Sequence, residues 1–185
     1  EAYRNGTDLH RLTAAAVLKI DLEEVGKEER QLAKAVNFGL LYGQSAPGLS
    51  RYASGSYGVD LSPDDARTIR NRFFGTYRAL RLWQAAAHKE AKKAVKEVRT
   101  RLGRRRRISH AASEWERFTA LVNTPVQGGT ADGMKQALVL AADRLPDGAR
   151  LIATVHDELV VECPEDQAEP VREILITAMT EAMAA

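Results

Sequence analysis

The sequence has 185 residues, with 44% hydrophobic and 28% charged residues, close to the roughly 45–50% and 25% usual in soluble globular proteins. That balance excludes wholesale disorder, collagen and coiled-coil rods; a lone Cys163 excludes an intrachain disulfide, and no run nears the roughly 18 consecutive apolar residues of a membrane span. The net charge of +2 hides an asymmetry: ten basic and two acidic residues lie between Lys89 and Arg107, a local +8 that leaves −6 on the remainder. Such a segment is the electrostatic footprint of a phosphate-backbone binder, and equally of a solvated basic helix face or loop.

In chain order, Asp8 caps a predicted helix that runs to about Ile20, and 27–42 forms a second, closed by Gly43. Residues 45–48, with Pro47, are expected to turn the chain. Ser62, Pro63, Asp64 and Asp65 supply an N-cap, a first-position proline and first-turn acids. A third helix therefore starts there, breaks near Gly75 and resumes to about Lys96. Residues 98–109, divided by Gly103, form a hairpin or an extended loop. A helix over 112–122 is expected to stop before Pro125, and another runs over 130–145 into the turn Pro146-Asp147-Gly148. Two β-prone runs, 150–155 and 159–162, then flank His156, Asp157 and Glu158 as a hairpin with a polar tip. Pro164 and Glu165 open a final helix. The predicted fold class is α+β, predominantly helical, without repeats or a linker between independent domains.

Arg30, Lys34, Phe38 and Tyr42 fall four residues apart. On a helix each step advances about 400°, so the row drifts only about 40° per step over about 18 Å. Two cations leading into two aromatics suit a nucleoside triphosphate, the cations holding phosphates while a ring packs on sugar or base. An amphipathic helix with exposed cations and core aromatics has the same spacing. A second constellation, Thr154-Val155-His156-Asp157-Glu158-Leu159-Val160, sets two acids at the tip of an apolar hairpin. Phosphoryl transfer needs carboxylate oxygens for Mg²⁺, which points to Asp157 as a metal ligand; an Asx-type turn with solvated acids is the plainer alternative. A metal-dependent hydrolase built on His156, Asp157 and Glu158 lacks further ligands at recognisable spacing.

The literal strings narrow these readings. Arg30 and Lys34 followed by Asn37-Phe38-Gly39-Leu40-Leu41-Tyr42-Gly43 resemble the nucleotide-binding fingers helix of family A DNA polymerases, the bacterial DNA polymerase I group. The hairpin string resembles the metal-binding palm hairpin of the same family. Asn123-Thr124-Pro125-Val126-Gln127-Gly128-Gly129-Thr130-Ala131-Asp132 resembles its palm segment at the primer–template minor groove. Thr100-Arg101-Leu102-Gly103-Arg104-Arg105-Arg106 resembles its basic turn after the fingers helices.

The resemblance implies that Arg30 and Lys34 contact the triphosphate, with Lys34 also protonating the pyrophosphate leaving group. Phe38 would pack on the incoming sugar, Tyr42 would stack near the template base, and His10, within Asp8-Leu9-His10, would lie near the phosphates. Asp157 would be the catalytic metal ligand, with Glu158 a lesser helper. DNA contacts would come from Asn123 and Gln127, whose amides can test base-pair shape in the minor groove, from His156, and from Arg104, Arg105 and Arg106 on phosphates. Departures from the family pattern are Arg107, Thr119 and a short connection between Gly103 and Asn123.

The implied architecture is fingers helices plus a palm with a short antiparallel β-hairpin. Residues 1–20 would form the passage from palm to fingers, 21–109 the fingers, and 110–185 the C-terminal part of the palm. The implied function is that of a DNA-directed DNA polymerase acting in replication and repair, a nucleotidyltransferase that moves nucleotides from deoxynucleoside triphosphates to a primer 3′ hydroxyl with Mg²⁺. Primer–template DNA would be the partner. With no charged n-region and apolar h-region at the start, a cytoplasmic, nucleoid-associated setting without membrane contact is expected. Family members carry a further catalytic aspartate on an upstream palm strand, and a thumb, which would precede residue 1. The expectation is therefore a fragment with an incomplete two-metal site, inactive in isolation. The alternative is a non-catalytic DNA-binding module in which the basic segment binds and the motifs are relics.

Overall fold

Residues 2 and 4–184 are described by a computed structural model; the outer limits of the expected regions, residues 1 and 185, lie outside them. Two compact units interleave along the chain, one from 1–95 with 109–122 and one from 96–108 with 123–185.

In the first unit Asp8 caps α1 (Leu9–Leu18), its Oδ1 accepting from the backbone N–H groups of His10 and Arg11 at 2.9 and 3.3 Å. Helix α2 (Lys27–Leu41) starts with the Gly26 N–H donating back to Glu29 Oε2 at 2.9 Å. Gly43 closes it with φ +88°, and a Cβ at this position would collide with the Phe118 ring. The turn expected at 45–48 is instead the first turn of α3 (Ala46–Tyr57). Ser45 Oγ accepts from the Gly48 N–H at 3.2 Å, and Pro47 occupies a position whose N–H has no helical partner to lose. Helix α3 packs closely on α2 because Gly39 has no side chain: a Cβ there would lie 3.0 Å from Leu49 Cδ1 and 3.3 Å from Tyr52 Cδ1.

Helices α4 (Pro63–Thr76) and α5 (Arg78–Ala91) meet at Tyr77, close to the predicted break. Helix α5 stops at Ala91 rather than near Lys96, and Ala94 takes φ +55°, incompatible with continued right-handed helix. The core of α1–α4 centres on Val17, Val36, Leu40, Leu49, Ile69 and Phe73, all buried. On α6 (Glu114–Asn123), Phe118 and Val122 pack against Ala87 and Ala91 of α5. Arg117 Nε donates to the Ala91 carbonyl at 2.8 Å, satisfying an orphan acceptor at the end of α5.

In the second unit β1 (Glu97–Arg99) and β2 (Arg105–Arg107) form the hairpin anticipated around Gly103, with Val98 opposite Arg106. The expectation that helix would stop before Pro125 does not hold. Residues 124–128 form a π-helical turn leading into α7 (Gly129–Arg144). Proline breaks an α-helix by lacking an N–H and clashing with a carbonyl one turn back, and the wider π turn accommodates it. Helix α7 packs on α8 (Ala168–Ala184), and the small residues Ala137 and Ala141 of the one and Ala178 and Ala182 of the other are all buried. Between these helices β3 (Arg150–Val155) and β4 (Glu158–Glu162) pair as the predicted hairpin, with an irregularity between Leu151 and Ala153. Ile152 and Val155 are 56% and 49% exposed on it. The architecture is α+β and mainly helical, as predicted. No helix among the described residues is long and apolar enough to cross a membrane.

Candidate nucleotide and nucleic-acid site

The row on α2 begins with Arg30, whose Nε donates to Asp8 Oδ2 at 2.6 Å. Asp8 thus serves two purposes, one oxygen capping α1 and the other gripping α2. The Arg30 hydrogen bond, ahead of the two backbone N–H groups, holds the Asp8 carboxyl below its ordinary range although partial burial opposes it. The grip uses Nε of Arg30 and leaves terminal guanidinium donors for a ligand. One turn on, Lys34 forms no ion pair among the described residues. Phe38 is 42% exposed, and Tyr42 follows at the end of the helix, half-buried.

His10 joins this row through a hydrogen-bonded chain that the spacing did not foretell. Thr13, fully buried, bonds through Oγ1 to Asn37 Oδ1 at 3.0 Å and to the Tyr77 hydroxyl at 2.7 Å. Its one proton goes to Asn37, so Tyr77 donates to Thr13. With its oxygen facing Thr13, Asn37 presents its amide nitrogen to His10 Nδ1 at 2.9 Å. An amide nitrogen only donates, so Nδ1 accepts and the neutral imidazole carries its proton on Nε2. Burial lowers the His10 pKa from its ordinary value, against the pull of Asp8 and with the push of Arg30 and Lys34, which favours this neutral form. The His10 ring lies 6.0 Å from that of Phe38. Both line a largely apolar cleft of about 680 Å³, together with Asn37, Leu41, Tyr77 and Leu80.

A second cleft, of about 350 Å³ within the other unit, brings together two strings far apart in sequence. Arg104, Arg105 and Arg106 from the β1–β2 hairpin line it with Asn123 and Gln127 from the π turn and its approach. Arg104 is not a loose cation. Its Nε pairs with Asp132 Oδ1 at 2.7 Å and its Nη2 donates to the Gly128 carbonyl at 2.7 Å. Asp132 is only 8% exposed, and its Oδ2 is buried without a partner among the described residues. Arg106 Nη1 reaches Thr124 Oγ1 at 3.4 Å, and Arg105 lies 3.6 Å from Glu97. Gly128 permits the hairpin's approach, since a Cβ there would lie 2.8 Å from Thr100 Cγ2.

The tip of the β3–β4 hairpin carries the remaining predicted residues. His156 adopts φ +55°, an uncommon conformation for a non-glycine residue. It and Asp157 form the turn, Glu158 opens β4, and all three are exposed. Asp157 and Glu158 offer the hard carboxylate oxygens that Mg²⁺ takes. No group of three or more possible metal-binding residues occurs among the described residues.

Sequence reading missed Thr13, Tyr77 and Asp132 as supporting residues. It also missed Gln84, whose Nε2 donates to the carbonyls of Leu40 and Leu41 at 2.6 and 3.1 Å and so fixes the end of α2. Each acts on a partner from another element, and of the four only Asp132 lies inside a string already singled out.

The family model described as DNA polymerase family A matches residues 1–185. DNA polymerase I of Aquifex aeolicus (strain VF5) is 45% identical over 183 residues, which is 97% of this chain and 31% of that protein. The thermostable DNA polymerase I of Thermus filiformis is 38% identical over 186 residues, covering 97% of this chain and 22% of that one. Among solved structures, the POL domain of Pol1 from M. smegmatis, in complex with DNA primer–template and dNTP, superposes with a TM-score of 0.83 at 28% identity, over 98% of this chain and 32% of that one. The chain thus spans about a third or less of these relatives.

Proposed function

The chain belongs to DNA polymerase family A, and from that premise we propose that it supplies the nucleotide-binding helix and one metal-binding carboxylate for template-directed DNA synthesis by a larger polymerase. One observation carries the reading: a single helix presents a Lys34 with no ion-pair partner among the described residues, an Arg30 with terminal donors to spare and a half-exposed Phe38, beside an imidazole whose Nε2–H is fixed for donation.

In this reading the triphosphate of a deoxynucleotide lies along Arg30, Lys34 and His10, its sugar against Phe38 and its base near Tyr42. The primer 3′ oxygen attacks the α-phosphorus and loses its proton to water. The new phosphorus–oxygen bond forms as the bond to the pyrophosphate oxygen breaks, and Lys34 passes a proton to that leaving group. Asn123 and Gln127 donate to minor-groove acceptors, which every base pair presents, so the contact tests pair shape rather than sequence. Arg105 and Arg106 bind phosphates, while Arg104, held by Asp132, orients the hairpin that carries them. His156 meets the duplex at the hairpin tip. Residues 1–20 form the passage from palm to fingers, 21–109 the fingers and 110–185 palm. The whole protein serves replication and repair at the nucleoid.

Asp157, with Glu158 beside it, would hold Mg²⁺, which supplies Lewis-acid stabilisation of the charge that develops on the transferring phosphoryl group. Two adjacent acids offer few oxygens for such a site, and this reading assigns a further carboxylate to the larger polymerase. In that larger polymerase further strands would cover the exposed apolar side chains Ile152 and Val155.

Primer extension with Mg²⁺ and all four deoxynucleotides tests the reading. The 185-residue chain alone should not extend a primer; the longer polymerase should, and should lose activity with Asp157→Ala. In the longer polymerase Lys34→Ala should lower the single-turnover rate by about 100-fold or more, what one positioned proton donor and charge contributes. Unchanged turnover in that variant removes Lys34 from its assigned role. Extension by the short chain alone that vanishes with Asp157→Ala would mean the carboxylate set is already complete within it.

A further inference from the structure

A third cleft, of about 360 Å³ between α4 and α5, shares no residue with the nucleotide face or with the Asn123–Gln127 cleft. Arg70, Asn71, Arg81, Gln84 and His88 supply its polar lining, and no acidic residue is among its lining residues. Neither Arg70 nor Arg81 has a carboxylate partner among the described residues. Arg70 is half-buried, its guanidinium lies 5.0 Å from the centre of the Phe74 ring, and its Nε is buried with no acceptor. A buried donor left without an acceptor carries a free-energy cost that a bound oxyanion removes.

The rest of the cleft is held firmly. Gln84 is buried and anchored to the Leu40 and Leu41 carbonyls. The His88 ring stacks on Phe118 with centroids 3.6 Å apart and planes inclined by 7°. Partial burial disfavours the charged form of His88; among the described residues Glu114 opposes this, and Lys92 and Arg70 add to it. The cleft therefore pairs two permanent cations with neutral donors and lacks a built-in counter-charge.

We propose that this α4–α5 cleft is a phosphate-binding site. Two guanidiniums with free donors match tetrahedral phosphate oxygens, and the imidazole of His88, one face covered by Phe118, adds a third donor group from a ring locked in place. The phosphate is carried either by a single-stranded nucleic acid or by a free anion such as pyrophosphate. The site stands apart from the proposed nucleotide site, so it stands or falls independently of the polymerase reading.

The test uses the full chain and follows the His88 ring resonances by NMR, assigned with His88→Asn. Inorganic pyrophosphate without metal is titrated in one arm and an oligothymidylate lacking a 5′ phosphate in the other. A saturable shift of His88 in either arm is expected, with affinity weakened roughly tenfold or more by Arg81→Glu, about what loss of one charge-assisted hydrogen bond costs. Response to pyrophosphate identifies a free-anion site; response to the oligonucleotide alone identifies a strand site. In the strand case Arg81→Ala should also reduce the slope of log affinity against log salt by about one. Arg81 is an exposed helix residue, so circular dichroism of both variants should match the parent. His88 resonances unmoved in both arms, or moved equally in Arg81→Glu, overturn the proposal.

Discussion

Burial holds both His10 and His88 below the ordinary imidazole pKa of 6.5, and the consequence for stability has a definite sign. As pH falls past 6.5, the unfolded chain takes up protons at these positions while the folded chain resists them. Stability is therefore fully present above that value and declines as pH drops toward the lower folded-state pKa values. His10→Gln should lose less stability than the parent between about pH 7.5 and about pH 5.5, read as the shift in urea midpoint; equal losses would mean that His10 is not the group being strained. Gly43 poses a different constraint at the same scale. Its φ of +88° and the Phe118 ring together leave no room for a Cβ, so Gly43→Ala should cost at least about 2 kcal/mol in chemical denaturation. A cost under about 0.5 kcal/mol, the range of neutral surface changes, would mean that α2 and α6 can separate there without penalty.

Among elements, the β1–β2 hairpin is tied to the π turn by the short Arg104 contact and the longer one from Arg106 to Thr124. Arg104 pairs with the buried Asp132 and with the Gly128 carbonyl, so a carboxylate beneath the cleft sets the direction of the strand above it. Asp132→Asn keeps the volume and removes the charge; it should destabilise the fold by about 1–3 kcal/mol, the cost of weakening a hydrogen bond to a charged group. Hydrogen exchange at the Thr100 and Arg104 amides, which bond across the hairpin end, should speed up in the variant if the tie is real, and stay unchanged if the hairpin holds itself. This dependence explains what the sequence could reveal. Helix α2 and the β3–β4 hairpin were legible because their apolar periodicity and end signals are local: Gly43 closes the one, and β-prone runs flank a polar pair in the other. Helix α3 was not. It is rich in Gly and Ser with only Leu49 and Ala53 buried, and Ser45 with Pro47 opens a turn as readily as a helix. Its helix rests on packing against Gly39 rather than on propensity. The π turn was hidden for the same reason, since Pro125 announces a break and only the hairpin packed beside it favours the alternative. In the candidate site the motif residues were legible by type, but Thr13, Tyr77 and Gln84 were not, because their roles come from partners 24 to 64 residues away.

At the scale of the whole molecule the charge distribution matters more than the net charge of +2. Arg105, Arg106 and Arg107 are consecutive and exposed on a three-residue strand. The nearest carboxylate, Glu97, already accepts from Arg99 at 2.9 Å and lies 3.6 Å from Arg105. One acid shared between two guanidiniums leaves the strand strongly positive, and like charges so close repel. A polyanion relieves that repulsion and releases its own counterions as it binds, so DNA affinity should fall steeply with salt. Arg105 and Arg106 both line the cleft with Gln127. Replacing both Arg105 and Arg106 with Gln should therefore lower the slope of log affinity against log salt by about two. Affinity should drop by the same factor for unrelated DNA sequences, because phosphate contacts carry no sequence information. A slope unchanged by the double substitution would remove this hairpin from the DNA contact surface and shift the burden to the basic residues between Lys89 and Arg101, whereas a loss that varied with sequence would mean that these arginines reach base edges.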